Sequence, residues 1–595
     1  MSTLARYAAL LRPYRRQYVV GLLLLGVTNG LNLLVPWLVK VAVDALARTH
    51  GVARPAPVVR GLEEPTDVLG ALVLVGVTLT AARTGSRLAI LGAGRTLARD
   101  LRNRLFDRVL SAPPSFFSRF PTGELMSRAI GDVNVLQSVA APGVLYAFNA
   151  LFMLAIAAPW LATVDAGLAG IVLAPFPVLA FLTWRLAERI RTATTEGQKA
   201  MAELTRAAQE TLAGVEVVKA FVLEARQAER FAQANDRYLD RSLRESTLRL
   251  AVGTLSGLAG AAGTTAILWV GGSRVAEGRM SYGDLALFLT VLALVLRPVV
   301  LFGWILGLVQ RGLAALDRLD EVSAGELPVV PAGAHRGPVV GEVELRDLTF
   351  RFPGQGPDAA QRRPALEQVS LRVPAGKSLG LTGRIGSGKS TLLKAIPGFL
   401  EAHAGQVLVD GVEVERWEPA ALRSSIGWVP QDGYVFSMSI AENEALGRPD
   451  APPAELEAAA RTAELARDLD QLPEGLDTLV GERGVMLSGG QRQRLAIARA
   501  LVVKPRVLLL DDALSMIDAA TASAILTNLR RELPATTVLV AAHRTSTLLG
   551  CDEVAVLDRG RVVERGPPAE LLTREGGLFR ALHERQRLQA DLEAA

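Results

Sequence analysis

Apolar residues are spread unevenly along this chain. Long apolar runs occupy residues 18–38, 68–90, 144–162, 167–184, 250–270 and 285–309, and nothing comparable follows them. Each run is near the ~20 residues that a helix needs to cross ~30 Å of hydrocarbon. Six such runs predict six membrane-spanning helices rather than the buried helices of a soluble core. The first run is too long for a secretory leader, lacks a small-residue cleavage site, and is followed by further spans. Residues 96–110 and 202–231 keep helical periodicity with few breakers. They predict membrane helices that continue into water, paired antiparallel and joined by short turns. Residues 325–341 are rich in Pro and Gly and read as a linker. Beyond them strands and helices alternate. The predicted organisation is an α-helical membrane domain over 1–324, the linker, an α/β domain over 342–580, and a helical tail over 581–595.

Composition agrees with this division. The chain has 595 residues, 50% of them hydrophobic and only 21% charged, with mean hydropathy +0.27. Disordered, collagen-like and disulfide-rich classes are excluded. The single cysteine, Cys551, allows neither an intrachain disulfide nor a cysteine metal cluster. A net charge of +5 is mild for this length and gives no argument for a nucleic-acid partner.

The placement of the charge says more than its sum. Arg6, Arg12, Arg15 and Arg16 precede the first run. Arg95, Arg99, Arg102, Arg104 and Arg108 follow the second, and Arg185, Arg189, Arg191, Lys199 and Arg206 follow the fourth. The turn at 163–167 has no Lys or Arg. The positive-inside rule then predicts a cytoplasmic N-terminus, two cytoplasmic helical extensions and a cytoplasmic second half. The Pro-rich segment 50–66 becomes an outer loop.

Gly383, Arg384, Ile385, Gly386, Ser387, Gly388, Lys389 and Ser390 fit the phosphate-loop pattern G-x-x-x-x-G-K-[ST], between an apolar strand and a helix opening at Thr391. The glycines let the backbone curl its N–H groups toward a phosphate chain, and the helix N-terminus adds its positive dipole end. Lys389 would reach the β- and γ-phosphates of ATP, and Ser390 would ligate Mg²⁺. Residues 506–511 form an apolar strand ending in Asp511, the second expected Mg²⁺ ligand.

Leu487-Ser-Gly-Gly-Gln491, followed by Arg492-Gln-Arg-Leu-Ala-Ile-Ala-Arg-Ala500, resembles the signature motif of ATP-binding-cassette (ABC) proteins. The resemblance implies that Ser488, Gly489, Gly490 and Gln491 contact the γ-phosphate held by the phosphate loop of a second subunit, and hence a dimer. It implies that Gln431 is the Q-loop residue that senses Mg²⁺ and the membrane domain. It further implies that His543 is the switch histidine on the γ-phosphate and that Asp518 belongs to the D-loop, although Met516 and Ile517 replace the usual Ala-Leu. Phe352 stands where an aromatic, most often Tyr, stacks on adenine. The first half resembles the exporter branch through Phe116-Phe117, Pro121-Thr-Gly-Glu-Leu-Met-Ser-Arg128 and Asp132-Val133. Glu210, Gly214, Val218-Lys-Ala-Phe221 and Gly481-Glu-Arg-Gly484 add to that resemblance. The resemblance spans about residues 5–585 and implies an ATPase coupled to transport, six membrane helices fused to one P-loop ATPase domain, in a bacterial inner membrane.

One residue departs from the family at the reacting centre. The position after the Walker B aspartate is normally Glu and polarises the attacking water; here it is Asp512. Its carboxylate falls about 1.3–1.5 Å short, against a required reach of ~2.6–3.2 Å. The resemblance then implies one half of a heterodimer with a hydrolytically weak site, the alternatives being a slow homodimeric exporter or an ATP-gated or regulatory subunit. A soluble P-loop ATPase of the DNA-repair type would share the ATP motifs but need no membrane spans. Polar residues at membrane depth are candidates for function: Arg297 beside Pro298, Asn29 with Asn32, and Arg83 with Arg87. Lipid, peptide and drug-like substrates remain open.

Overall fold

The structure is a computed structural model that describes residues 3–49, 62, 64–324, 333–352, 363–400, 406–472, 474–481 and 486–594. It divides into two compact units, Met1–Leu110 with Thr122–Gly325, and Ser111–Pro121 with Glu326–Ala595.

The first unit is wholly helical. Its long rods are Arg15–Thr49, Pro65–Ser111, Val144–Val164, Pro175–Ala213, Glu224–Ala266 and Tyr282–Ser323. Among the described residues, five helical stretches are long and apolar enough to cross a membrane. The sixth expected span lies on Tyr282–Ser323, whose apolar stretch is described only over Tyr282–Val295. The side chains of residues 296–303, Arg297 and Pro298 among them, lie outside the described residues. The 47-residue helix Pro65–Ser111 is about 70 Å long, more than twice the hydrocarbon thickness. Its far end, like that of Pro175–Ala213, must therefore stand in water.

Residues 202–231 differ from the expectation of one periodic segment. The rod Pro175–Ala213 ends at Gly214, a short helix Val215–Ala220 follows, and Glu224–Ala266 runs back. Val222 takes a left-handed backbone (φ 51°), a conformation that a β-branched residue rarely adopts. No Pro or Gly cluster announces the reversal. Ion pairs bind the returning rod to the outgoing one: Arg241–Glu196 at 2.7 Å, Arg230–Glu210 at 3.0 Å and Arg237–Glu203 at 3.4 Å. Each is exposed and contributes about 0–1 kcal/mol. Their common direction, Arg on one rod and Glu on the other, sets register.

Two buried polar contacts anchor the last rod. At its start, Ser281 caps the helix in a reciprocal box with Asp284. Asp44, buried on the first rod, accepts from Gly283 N (2.8 Å) and Ser281 Oγ (3.1 Å), while Lys40 pairs with Asp284. A Cβ at Gly283 would strike the Asp44 carboxylate at 2.5 Å, so only glycine permits this approach. Toward the rod's other end, Arg318 Nε donates to Asp132 at 3.0 Å and Arg128 donates to the Arg318 carbonyl at 2.6 Å.

The second unit holds two sheets. The strands are β1 Val343–Phe350, β2 Leu366–Val373, β3 Ser378–Gly383, β4 Val407–Val409, β5 Val412–Glu413, β6 Ile426–Val429, β7 Val507–Asp511, β8 Thr537–Ala541, β9 Glu553–Asp558 and β10 Arg561–Gly566. A smaller antiparallel sheet has the order β2-β1-β4-β5. The larger runs β10-β9-β3-β8-β7-β6, parallel from β9 to β6, with β10 antiparallel at one edge. Every residue of β7 is buried, as expected for a parallel strand covered on both faces.

Asp44→Ala leaves the Gly283 N–H unpaired in a buried site, at a cost of about 1–3 kcal/mol. Thermal unfolding of the detergent-solubilised chain should show a lower Tm, whereas Asp67→Ala in the exposed first turn of its helix should change little.

Candidate nucleotide-binding and catalytic site

Three adjacent parallel strands, β3, β8 and β7, end side by side, and each ends in candidate chemistry. Ligands of open α/β sheets bind beyond the carboxyl ends of such strands. β3 runs into the phosphate loop, β7 ends on Asp511, and β8 leads through Ala542 to His543.

The loop owes its shape to glycine. Gly383, Gly386 and Gly388 all have positive φ, at 142°, 77° and 103°. A Cβ at Gly388 would lie 2.6 Å from the Ala365 carbonyl. Arg384 and Ile385 form the exposed crest, and Ser387 turns inward, its N–H donating to Arg384 O at 3.2 Å. The Ser387 hydroxyl is buried without a partner, a polar atom left over in a cradle of backbone N–H groups. The buried helix Lys389–Ala395 follows, with Thr391 in its first turn. Lys389 folds back over the loop, its Nζ donating to Gly383 O at 3.0 Å and Arg384 O at 3.1 Å. Burial pulls its pKa down, opposed by the charges of Asp512 and Asp511. Ser390 Oγ donates to Asp511 Oδ1 at 2.7 Å. Burial pushes the Asp511 carboxyl up, and the Ser390 bond works against that. Two oxygen ligands thus converge, and a divalent cation would relieve the cost of burying the carboxylate charge. The free Ser387 hydroxyl, the glycine cradle and this oxygen pair fit a Mg²⁺-bound polyphosphate.

Asp512 follows directly and has a left-handed backbone, φ 49°, a region in which Asp is enriched. Its N–H donates to Ala541 O at 2.9 Å, tying it to the end of β8. Its carbonyl accepts from Ser515 Oγ at 2.8 Å. Gln493 holds the same turn from the helix Gly489–Val502. It is 1% exposed; its amide nitrogen donates to Ser515 Oγ (3.1 Å) and Asp512 O (3.4 Å), and its oxygen accepts from Met516 N at 2.9 Å. Nothing in the sequence marks Gln493 among its polar neighbours Arg492 and Arg494. Only burial against the 512–516 turn reveals it.

The helix bearing Gln493 opens with Leu487-Ser-Gly-Gly-Gln491. Ser488 caps it, its N–H donating to Gln491 Oε1 (2.9 Å) and its Oγ accepting from Gln491 N (3.2 Å). A Cβ at Gly489 would meet Met516 Sδ at 2.5 Å, and one at Gly490 would meet Met516 O at 3.1 Å. The unusual methionine therefore lies on the signature glycines. Gln431, exposed after β6, lines a cavity of about 440 Å³ with Gly489, Gln493 and Met516.

Two further elements flank the site. Asp518 caps the helix Ala519–Glu532, accepting from Thr521 N at 2.9 Å. The His543 carbonyl accepts from Gln586 Nε2 at 2.7 Å, and Gln586 Oε1 accepts from Thr545 N at 2.9 Å. Gln586 lies on the helix Leu578–Ala594, so the expected tail is a brace for the histidine turn. Phe352 is exposed beyond β1, edge-on to Phe350 at 5.0 Å. Gly481 is described, but residues 482–485 are not.

Residues 18–299 match the ABC transporter transmembrane region, and residues 366–515 match the ABC transporter family. The chain belongs to the ABC transporters. All of it aligns, at 32% identity, with 98% of the multidrug resistance-like ATP-binding protein MdlA of Escherichia coli (strain K12). It is 34% identical to the ATP-dependent lipid A-core flippase of Xanthomonas campestris pv. campestris (strain 8004), over 98% of this chain and 96% of that protein. The structure of a bacterial Atm1-family ABC exporter with ATP bound matches with a TM-score of 0.75 and 27% identity, over 96% of this chain and 98% of that one. This ABC transporter is therefore an exporter-type ATPase coupled to transport, with its membrane domain and one ATP-binding domain on a single chain, and it uses ATP with Mg²⁺.

Gln493→Leu should lower kcat for ATP hydrolysis by about 10- to 100-fold, because the turn carrying Asp512 loses its tether. The KM for ATP should stay near that of the parent, since the phosphate loop is untouched. Steady-state ATPase assays over a range of ATP concentrations separate the two. An equal loss in ATP binding would assign Gln493 to folding alone.

Proposed function

We propose that this chain is one half of an ATP-driven exporter, working by alternating access, whose own Walker site binds ATP but hydrolyses it slowly. The loop from Gly383 to Gly388 wraps the phosphates, Lys389 neutralises the β- and γ-phosphates, and Thr391 supports the first helical turn. Ser390, Asp511 and Gln431 hold Mg²⁺, which when bound offsets phosphate charge in the reacting state. Asp512 orients the attacking water, His543 contacts the γ-phosphate, and Phe352 covers the adenine. Ser488, Gly489, Gly490 and Gln491 complete the site of a second half-transporter subunit.

The single observation behind the slow site is Asp512. Its backbone is fixed by the bond to Ala541 O, so the shorter side chain cannot be offset by a shift of the turn. A displacement of about 1 Å from productive geometry costs on the order of 10²-fold. The chain's own signature is complete, with Ser488 and Gln491 locked in a capping box. A weak base beside an intact signature suits a heterodimer whose partner subunit carries Glu after its Walker B aspartate. The charge pattern supports cytoplasmic termini. The names of the relatives, a multidrug resistance-like protein and a lipid A-core flippase, favour an amphipathic substrate.

The purified chain alone should bind ATP yet turn it over slowly, and Asp512→Glu should raise that turnover by about tenfold or more. Fast hydrolysis by the unmodified chain would identify a competent homodimer. In the transporter isolated from its own membranes, Ser488→Arg should reduce hydrolysis more than Lys389→Ala, because this signature serves the stronger site. Equal losses would mean two equivalent sites.

A further inference from the structure

The signature helix Gly489–Val502 sends polar side chains to two sides. Gln493 goes to the 512–516 turn. Gln491 and Arg494 both go to Asp468, on the short helix Ala466–Leu469, which is 23 residues from Gln491 in sequence. Asp468 Oδ1 accepts from Gln491 Nε2 at 3.3 Å. Its Oδ2 accepts from Arg494 Nε at 2.9 Å and pairs with Nη2 at 2.6 Å. Both oxygens of the carboxylate are thus in use. The pair is largely screened from water, the two side chains being 15% and 14% exposed. Asp468 is itself fixed. Glu464 turns the chain with a left-handed backbone (φ 56°), and Ala463 and Leu465 on either side of it are buried in the core. The Glu464 carboxylate accepts from Asn528 Nδ2 at 3.0 Å.

This geometry decides which way the Gln491 amide faces. The Ser488 N–H can only donate, and it takes Gln491 Oε1 at 2.9 Å. A carboxylate paired with arginine can only accept, so it takes Nε2. Turning the amide over would set oxygen against oxygen and N–H against N–H. Asp468 thereby locks the capping box, in which Ser488 Oγ accepts from Gln491 N at 3.2 Å. The box uses the exposed Ser488 oxygen as an acceptor and leaves its proton without an acceptor among the described residues. Asp468 also holds the Arg494 guanidinium beside the signature, where Nη1 stands 3.5 Å from the point at which Gly490 would carry a Cβ. Without Asp468 that cation has no fixed place.

We propose that Asp468 is a positioning residue for ATP hydrolysis: it locks the Gln491 amide and the Arg494 guanidinium, and so aims the Ser488 hydroxyl and the N–H groups of Gly489 and Gly490 at the γ-phosphate held by the second subunit. This rests on the reading that the signature serves that subunit's site. A displacement of about 1 Å at such a contact costs on the order of 10²-fold. Held by Gln493 on one side and by Asp468 on the other, the start of the helix has little freedom to be displaced.

The test is steady-state ATP hydrolysis by the transporter isolated from its own membranes, carrying Ser488→Ala, Asp468→Ala or the two combined. Asp468→Ala should lower kcat by about tenfold or more, with the KM for ATP near the parent value. Ser488→Ala should also be slow. The combined variant should be no more than about twofold slower than the slower single variant, because residues in one hydrogen-bonded network do not lose independently. Asp468→Glu, which keeps the acceptor oxygens, should recover most of the rate. If a stranded Arg494 prevents Asp468→Ala from folding, Asp468→Ala/Arg494→Met removes that charge and carries the same expectation. Losses that multiply in the combined variant would make Asp468 a structural residue and overturn the proposal, as would a slow Ser488→Ala beside a parent-like Asp468→Ala. Ser488→Ala at the parent rate would instead defeat the reading of the signature on which the proposal rests.

Discussion

The 2.7 Å hydrogen bond from Ser390 to Asp511 joins the helix after β3 to the end of β7, across the intervening strand β8. Both partners are fixed by elements that have no freedom to move. Ser390 follows a loop that only glycine can form at Gly388, and Asp511 ends a strand with every residue buried. A buried carboxylate with one hydroxyl donor is an unfavourable group in isolation. It becomes favourable when a cation and phosphate oxygens complete its surroundings. The Ser390 and Asp511 oxygens are thus held together by the fold itself, so a cation that took both would require less ordering on binding.

The turn after Asp511 is held by the helix that opens with the signature motif. Asp512 follows Asp511 at the end of β7, near Lys389 of the phosphate loop, whereas Ser488 to Gln491 open a separate helix. Gln493 lies two residues beyond the signature, one helical turn after Gly489, and holds the backbone of Asp512 and Met516. Met516 in turn rests on Gly489 and Gly490. A displacement of the signature helix would be felt at Asp512 through a rigid, buried amide rather than through a flexible surface chain. Packed contacts of this kind shift between discrete arrangements instead of yielding gradually.

In the membrane unit, polar groups set the register of the rods. Asp44, Ser281 and Asp284 fix the start of the last rod, and the Arg–Glu ladder between Pro175–Ala213 and Glu224–Ala266 fixes the pairing of the extensions. Arg83 donates to Asn32 at 2.9 Å, joining the first two rods. Asn29, close by in sequence, is fully buried with neither amide atom paired.

Much of this protein was legible without coordinates. Hydrophobic runs of membrane-crossing length carry their own geometry, since a helix in hydrocarbon must satisfy its backbone internally. The phosphate loop and Asp511 were equally plain, because local backbone demands and metal chemistry restrict which residues suit those positions. Asp512 was visible as a departure for the same reason. Tertiary structure alone decided the rest. The reversal at residues 214–223 opens at Gly214, which the sequence shows, but it also needs a left-handed backbone at Val222, which residue type argues against. The buried role of Gln493 and the bracing of His543 by Gln586 join residues far apart in sequence. A glutamine or an arginine reads as a solvated surface group until its neighbours in space are known, because burial, and not residue type, determines whether its polar atoms must find partners within the fold.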